Sequence, residues 1–370
     1  MSKENEKANS QLHNARTARK DEFYTQYVDI QKEMNAYLEY NPDVFRGKTI
    51  LLPCDDPEWS NFTKFFAQNF ENFGLKKLIS TSLSIESKDL QNYQPTLFET
   101  ESPKFDQEKT KIKGKIFILD HDTNHNGKID IDDLERDYLE WDGDFRSDEI
   151  KKLRDESDII ITNPPFSLFR EFVARIIEGK KNFVILWNVN AITYKEIFPL
   201  LKSNQMWLGP SITSGDREFW VPSDYPLNSA GRRIDETHEF YTHFIRVKGV
   251  RRFSNLDHGR RHQPLQLMTM ADNLKFSKHK EIRENGYPKY DNYDAIEVSY
   301  TDAIPSDYEG VMGVPITFLD KYNPEQFEII DINPHFFSMI EQWLEKPKQL
   351  TLTQVGKKDP YARILIRHKK

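Results

Sequence analysis

The stretch SDIIITNPPFSLFREF, Ser157 to Phe172, constrains this chain more than any other. A short apolar run leads straight into Asn163-Pro164-Pro165-Phe166, and an amphipathic segment follows. Two successive prolines remove two backbone donors and fix two φ angles. The run therefore cannot continue as a central strand. It reads as a buried strand, a rigid corner and a helix returning over the sheet. That is a unit of an α/β fold, and in open α/β sheets ligands bind beyond the carboxyl ends of the strands.

Similar units flank it. Lys48 to Pro57 (KTILLPCDDP) reads as a strand and its carboxyl-end loop, and SNFTKFFAQNFENFG as a helix with Ser60 as N-cap and Gly74 as C-cap. LKKLISTSL, GKIFILD and KNFVILWN are strand-like. SDEIKKLRDES is a helix capped by Ser147, FSLFREFVARIIEG a helix closing at Gly179, and ITYKEIFPLLKSN a further helix. Strands that are nearly continuous apolar runs, alternating with helices, predict a parallel sheet covered on both faces. The alternation ends near Leu208. The 370 residues suggest two domains. The expected division is a disordered arm over 1–20, a catalytic domain over 21–209 with an insertion at about 84–140, a second region over 210–330, and a C-terminal segment over 331–370 returning to the first domain.

Charge is divided along the chain. The net charge is −7, yet Arg246 to Arg283 holds ten Lys/Arg against three Asp/Glu. Phe117 to Glu149 holds three against twelve. A basic block in an acidic chain is a candidate polyanion footprint, and equally a solvated loop. The single Cys54 excludes an intramolecular disulfide framework and a multi-cysteine metal site. No run reaches the roughly 18 apolar residues of a membrane helix. The first twenty residues lack the apolar centre of a signal peptide, so a cytoplasmic protein is expected.

The corner at Asn163 suits one difficult reaction. An exocyclic amine on a nucleobase is a poor nucleophile because its lone pair is delocalised into the ring. If the Asn163 side-chain oxygen and the Pro164 carbonyl accept its two hydrogens, a pyramidal nitrogen with a localised lone pair is favoured. Pro165 stiffens the bend, and Phe166 stacks on the base. The amine can then attack an activated methyl in line. S-adenosylmethionine is the expected methyl donor. Pro53, Cys54, Asp55 and Asp56 follow the first strand, and the two carboxylates suit an ammonium or ribose hydroxyls. In the segment DGDF, Asp144 can take an adenine amino group and Phe145 its face. Phe23, Tyr24 and Thr25 add an aromatic pair beside a small polar group. Each of these also reads as turn or capping chemistry.

One constellation competes. Asp122, Asn124, Asn126, Gly127, Asp130 and Asp133 are spaced like a calcium loop, with Ile129 at its apolar position. The twelfth place holds Asp133 rather than Glu, and a strand-like segment precedes the loop where an EF-hand has a helix. A calcium-dependent binding module is thus a second reading, and an Asx-rich turn the bland one.

In order along the chain, DEFYTQY, CDDP with SNF, GDFRS, TNPPFSLF, NAITYKE, YPKYDNYDAI, GVMGVPITFL and NPEQFE resemble the EcoRI-type adenine-specific DNA methyltransferases. The resemblance implies a Rossmann-like S-adenosylmethionine-dependent methyltransferase sheet with helices on both faces, plus a mixed α/β C-terminal recognition region. It implies methyl transfer to the adenine amine of duplex DNA, catalysis at Asn163, Pro164, Pro165 and Phe166, and cofactor binding at Phe23 to Thr25, Pro53 to Asp56, Asp144 and Phe145. A relative of this fold could instead modify RNA or a protein glutamine. The target base must be flipped from the duplex. Arg251, Arg252, Arg260, Arg261 and Lys275 are the candidate DNA contacts. A monomer, an AATT-containing target, no metal, and a cognate restriction endonuclease acting on the same site are the further expectations.

Overall fold

The computed structural model describes residues 25–56, 60–88, 100, 102–165, 168–213, 215–221, 243–291, 293–332, 353–354, 357–358 and 362–369. In chain order the strands are β1 Thr49–Leu52, β2 Lys77–Ser82, β3 Lys115–Leu119, β4 Glu135–Tyr138, β5 Ile159–Thr162, β6 Asn182–Asn188, β7 Trp207–Leu208, β8 Arg217–Val221, β9 His243–Val247, β10 Val250–Ser254, β11 Ala295–Glu297, β12 Val311–Pro315, β13 Phe327–Ile332, β14 Thr353–Gln354, β15 Lys357–Lys358 and β16 Arg363–His368. The chain forms two compact units, Met1–Asn188 with Ser214–Leu256, and Val189–Thr213 with Asp257–Lys370. A cut at 209 is therefore too simple. The chain leaves the first unit after β6 and returns to it to add β10.

In the first unit the strands run β4-β3-β2-β1-β5-β6-β10. The β2, β1, β5 and β6 strands are parallel, and all four residues of β1 and of β5 are buried. That is the pattern their unbroken apolar runs predict. The outer strands depart from it: β3 is antiparallel to β2, β4 to β3, and β10 to β6. Only Arg136 of β4 is buried, so this polar edge strand carries too weak a pattern to be read from sequence.

The helix Asn61–Gln68 begins as expected, with the Ser60 hydroxyl accepting from Phe62 N. It breaks at Asn69 and resumes over Phe70–Phe73, ending at Gly74 with φ 62°. Phe62, Phe65, Phe66 and Phe70 pack with Phe45, Ile50, Leu52 and Leu78 in one core. Edge-to-face pairs such as Phe65–Phe66, 5.3 Å between centroids, fill the layer above β1. The helix Asp148–Glu156 starts at the Ser147 cap. The helix Phe169–Glu178 closes at Gly179.

In the second unit, the helix expected over ITYKEIFPLLKSN is a 3₁₀ turn, Val189–Thr193, and a short helix, Phe198–Lys202. Pro199 has no N–H to give and is tolerated only in a first turn, so it sets the start of that helix. A four-stranded sheet runs β11-β12-β16-β13. The β16 strand is antiparallel to both neighbours, and Ile364, Leu365 and Ile366 are fully buried. The terminal segment thus completes the second unit's sheet instead of returning to the first.

Candidate active site

Parallel pairing places Leu51 of β1 level with Ile160 of β5, and Leu52 level with Ser80 of β2. The carboxyl ends of these three strands therefore lie side by side. The Asp55 carboxylate joins them. One oxygen accepts from Ser60 Oγ at 2.9 Å, the other from Thr162 Oγ1 at 2.5 Å. Ser80 Oγ donates to the Asp55 carbonyl, and Thr81 Oγ1 to the Pro53 carbonyl. All these side chains are buried. Hydrogen bonds to a carboxylate in such a place are strong and directional. They bind the turn after β1 to the residue just before Asn163.

Asn163, Pro164 and Pro165 are buried, Asn163 with 6% of its surface exposed. The Pro165 carbonyl accepts from Leu168 N at 3.0 Å, which turns the chain into the helix Phe169–Glu178. The corner is closed as it stands, so a base reaches Asn163 only if covering atoms move. Phe166 lies outside the described residues, as do Phe23 and Tyr24 and the expected arm over 1–20.

Thr25 is described and buried. Its carbonyl accepts from Asn61 Nδ2 at 2.8 Å, tying it to the helix that Ser60 caps. Its hydroxyl has no hydrogen-bond partner among the described residues. Cys54 is half-buried. The DGDF segment sits past the end of β2. Gly143 has φ 83°, and a Cβ there would stand 2.2 Å from the Ser82 carbonyl oxygen. Ser84 N donates to the Asp142 carbonyl, and Ser87 Oγ to its carboxylate. Asp144 is half-buried and accepts from Arg146 Nε and Nη2. Burial raises its carboxyl pKa, but the Arg146 guanidinium and backbone N–H outweigh that and hold it below the usual range. It is thus an anionic, acceptor-only group. Phe145 packs edge-on against Phe172, 5.1 Å between centroids. A narrow cleft with room for about 20 Å³ lies among Pro53, Phe145, Ile150, Arg154, Phe172 and Arg175.

The structure corrects part of the basic-block expectation. Arg251 and Arg252 lie on β10, with 5% and 1% of their surface exposed. Arg252 Nη1 stands 3.4 Å from Glu33 Oε2, and Tyr37 donates to the other Glu33 oxygen at 2.8 Å. These two arginines are interior groups here, and neither offers its cation to a phosphate. A partner 219 positions away in the chain is invisible to local composition. Arg260 is half-buried and donates to the Pro210 carbonyl. Arg261 lies 3.8 Å over the Trp207 ring and donates to Asn204. Lys275 is exposed on the helix Met270–Phe276.

The calcium-like loop spends its oxygens on itself. Asp122 accepts from Asn126 N and Gly127 N, and Asn126 from Lys128 N. Asp133 accepts from the Thr123 and Asn124 N–H groups and from Asp130 N. These are Asx-turn hydrogen bonds. Sequence inspection missed the Thr162 and Ser80 hydroxyls and gave Ser60 only its capping role. The available signal was a hydroxyl residue at or just after the carboxyl end of an apolar strand.

A profile of the family described as adenine-specific methyltransferase EcoRI matches residues 11–369. The chain belongs to that family. It is 41% identical to the type II methyltransferase M.EcoRI of Escherichia coli, over 98% of this chain and 97% of the relative. It is 36% identical to the type II methyltransferase M.MpnI of Mycoplasma pneumoniae, over 87% and 86%. It is 33% identical to the type II methyltransferase M.MgeORF184P of Mycoplasma genitalium, over 95% and 97%. No solved structure matches. As a member of the EcoRI family the chain is an enzyme, a site-specific adenine DNA methyltransferase, and its first unit has the Rossmann-like sheet expected of one. No helix among the described residues is long and apolar enough to cross a membrane.

Proposed function

We propose that this enzyme methylates the N6 amine of an adenine flipped out of duplex DNA, at the corner Asn163 to Phe166, with S-adenosylmethionine as donor. The observation that carries the reading is the shared Asp55 carboxylate. It holds the turn after β1 and the residue before Asn163 in one rigid piece. A donor group held by the turn and an amine held by the corner then meet without a search, which is where effective molarity comes from.

The donor set fits the cofactor. The buried Thr25 hydroxyl lacks a partner among the described residues, and Asp144 is an anionic acceptor. Phe23 to Thr25, Pro53 to Asp56, Asp144 and Phe145 would hold it. The bound group supplies an electrophilic methyl on a sulfonium. Asn163 Oδ1 and the Pro164 carbonyl accept the two amine hydrogens and localise the lone pair. Phe166 holds the ring plane. Arg260 and Lys275 contact phosphates, which supply most of the affinity. The enzyme acts as a cytoplasmic monomer and protects DNA from a cognate restriction endonuclease.

Incubation with labelled donor and duplex DNA, RNA or protein tests the substrate class. Label is expected in DNA alone, as N6-methyladenine. Asn163→Ala should lower kcat by about 10² to 10³-fold, the effect of losing one preorganised dipole. It should still bind donor by calorimetry. Near wild-type turnover in that variant would remove Asn163 from the reaction.

A further inference from the structure

The second unit carries an open groove of about 280 Å³, lined by Arg260, Gln263, Gln266, Thr301, Asp302 and Lys321. Its floor is unusual. Residues 263–269 form no helix or strand, yet hydrogen bonds pin their backbone. Gln326 grips Leu265 as a neighbouring strand would. Its Oε1 accepts from Leu265 N at 2.7 Å, and its Nε2 donates to the Leu265 carbonyl at 3.1 Å. Ser306 N donates to the Met268 carbonyl, and Met270 N to Asp307. Upstream, Arg260 is anchored on Pro210, and His262 bridges Asp257 and Glu325 at 2.9 Å each.

The backbone is fixed while the amides of Gln263 and Gln266 are exposed and make no side-chain hydrogen bond among the described residues. Arg260 and Lys321 bring positive charge to the same groove. The one carboxylate there, Asp302, is taken up by Lys278 at 2.6 Å and His279 at 2.8 Å. An amide that both donates and accepts matches the N6/N7 edge of adenine in the major groove. Immobilising the backbone beforehand lowers the entropy lost on binding.

We propose that Gln263 and Gln266 are specificity-determining residues that read two A·T pairs of the target duplex. This rests on the DNA-methyltransferase reading above. Arg260 and Lys321 hold the flanking phosphates and carry no sequence information.

The target is first taken from methylation sequencing of DNA exposed to the wild-type enzyme. Duplexes with each base pair of that target replaced in turn are then methylated by wild type, Gln263→Ala and Gln266→Ala. Each variant should lose about 10- to 100-fold of discrimination at one A·T pair, a different pair for each, with donor binding unchanged. Gln266→Glu keeps only acceptors, and preference at its position should move toward cytosine. Lys321→Ala should weaken all duplexes alike and reduce the salt slope of binding by about one. Wild-type discrimination retained at every position by both Ala variants overturns the assignment while leaving the activity standing. A wild-type chain that methylates no duplex removes the activity as well.

Discussion

At the scale of the residue, the site depends on groups that look ordinary in sequence. Thr162 gives Asp55 one of two hydroxyl hydrogen bonds. Thr162→Val keeps shape and removes the donor, so a buried carboxylate loses a hydroxyl hydrogen bond. A loss of about 1.5 to 3 kcal/mol is expected in denaturant unfolding, with a rise in KM for donor. Gly143 shows the opposite need, for no side chain at all. Its φ of 83° and the Ser82 carbonyl both forbid a Cβ. Gly143→Ala should cost at least about 1 to 3 kcal/mol and displace Asp144, measured as lost stability together with weaker donor binding. His262 adds a pH dependence. Burial alone would lower its pKa, but hydrogen bonds to Asp257 and Glu325 outweigh that and raise it. Its contribution to stability is therefore complete below the unfolded value, about 6.5, and is lost as pH rises through the folded value. Unfolding midpoints of wild type and His262→Gln should converge across that window as pH increases.

At the scale of the element, β10 decides the most. All five of its residues are buried, among them two arginines, beside a parallel core. Arg252 is tolerable there because Glu33 and Tyr37 on the helix Tyr27–Tyr40 face it. Burial first, then the Glu33 charge, pushes the Tyr37 hydroxyl pKa well up, so it stays a donor. Removing one member of a buried pair leaves the other uncompensated. Arg252→Met should cost about 3 to 5 kcal/mol, and adding Glu33→Leu should recover much of it. A double-mutant cycle in denaturant measures both. The strand pattern read as apolar runs held for β1, β2, β5 and β6. It failed for β4, whose burial is confined to Arg136, and for the direction of β3. Side-chain pattern encodes burial, while strand direction depends on the path of the connection, which composition does not carry.

At the scale of the whole molecule, two units are built from an interleaved chain, and the last strand, β16, lies between β12 and β13 of the second. A chain ending before Arg363 should lose amide protection in β11, β12 and β13 while β1, β5 and β6 keep theirs, as read by hydrogen exchange. Read alone, the sequence determined the α/β class, the Ser60, Ser147 and Gly74 caps, and the corner at Asn163. It also determined the position of the acidic turn beyond the first strand. Those features follow from local rules, because periodicity, capping and proline geometry act within a few residues. Only the tertiary structure decided that Asp55 is shared with Thr162, 107 positions away, and that Arg252 is an interior ion. It alone decided that Gln326 pins the segment bearing Gln263 and Gln266. Each of these is a pairing between distant positions. A side chain's type declares which bonds it can make, but only folding brings the partner within reach.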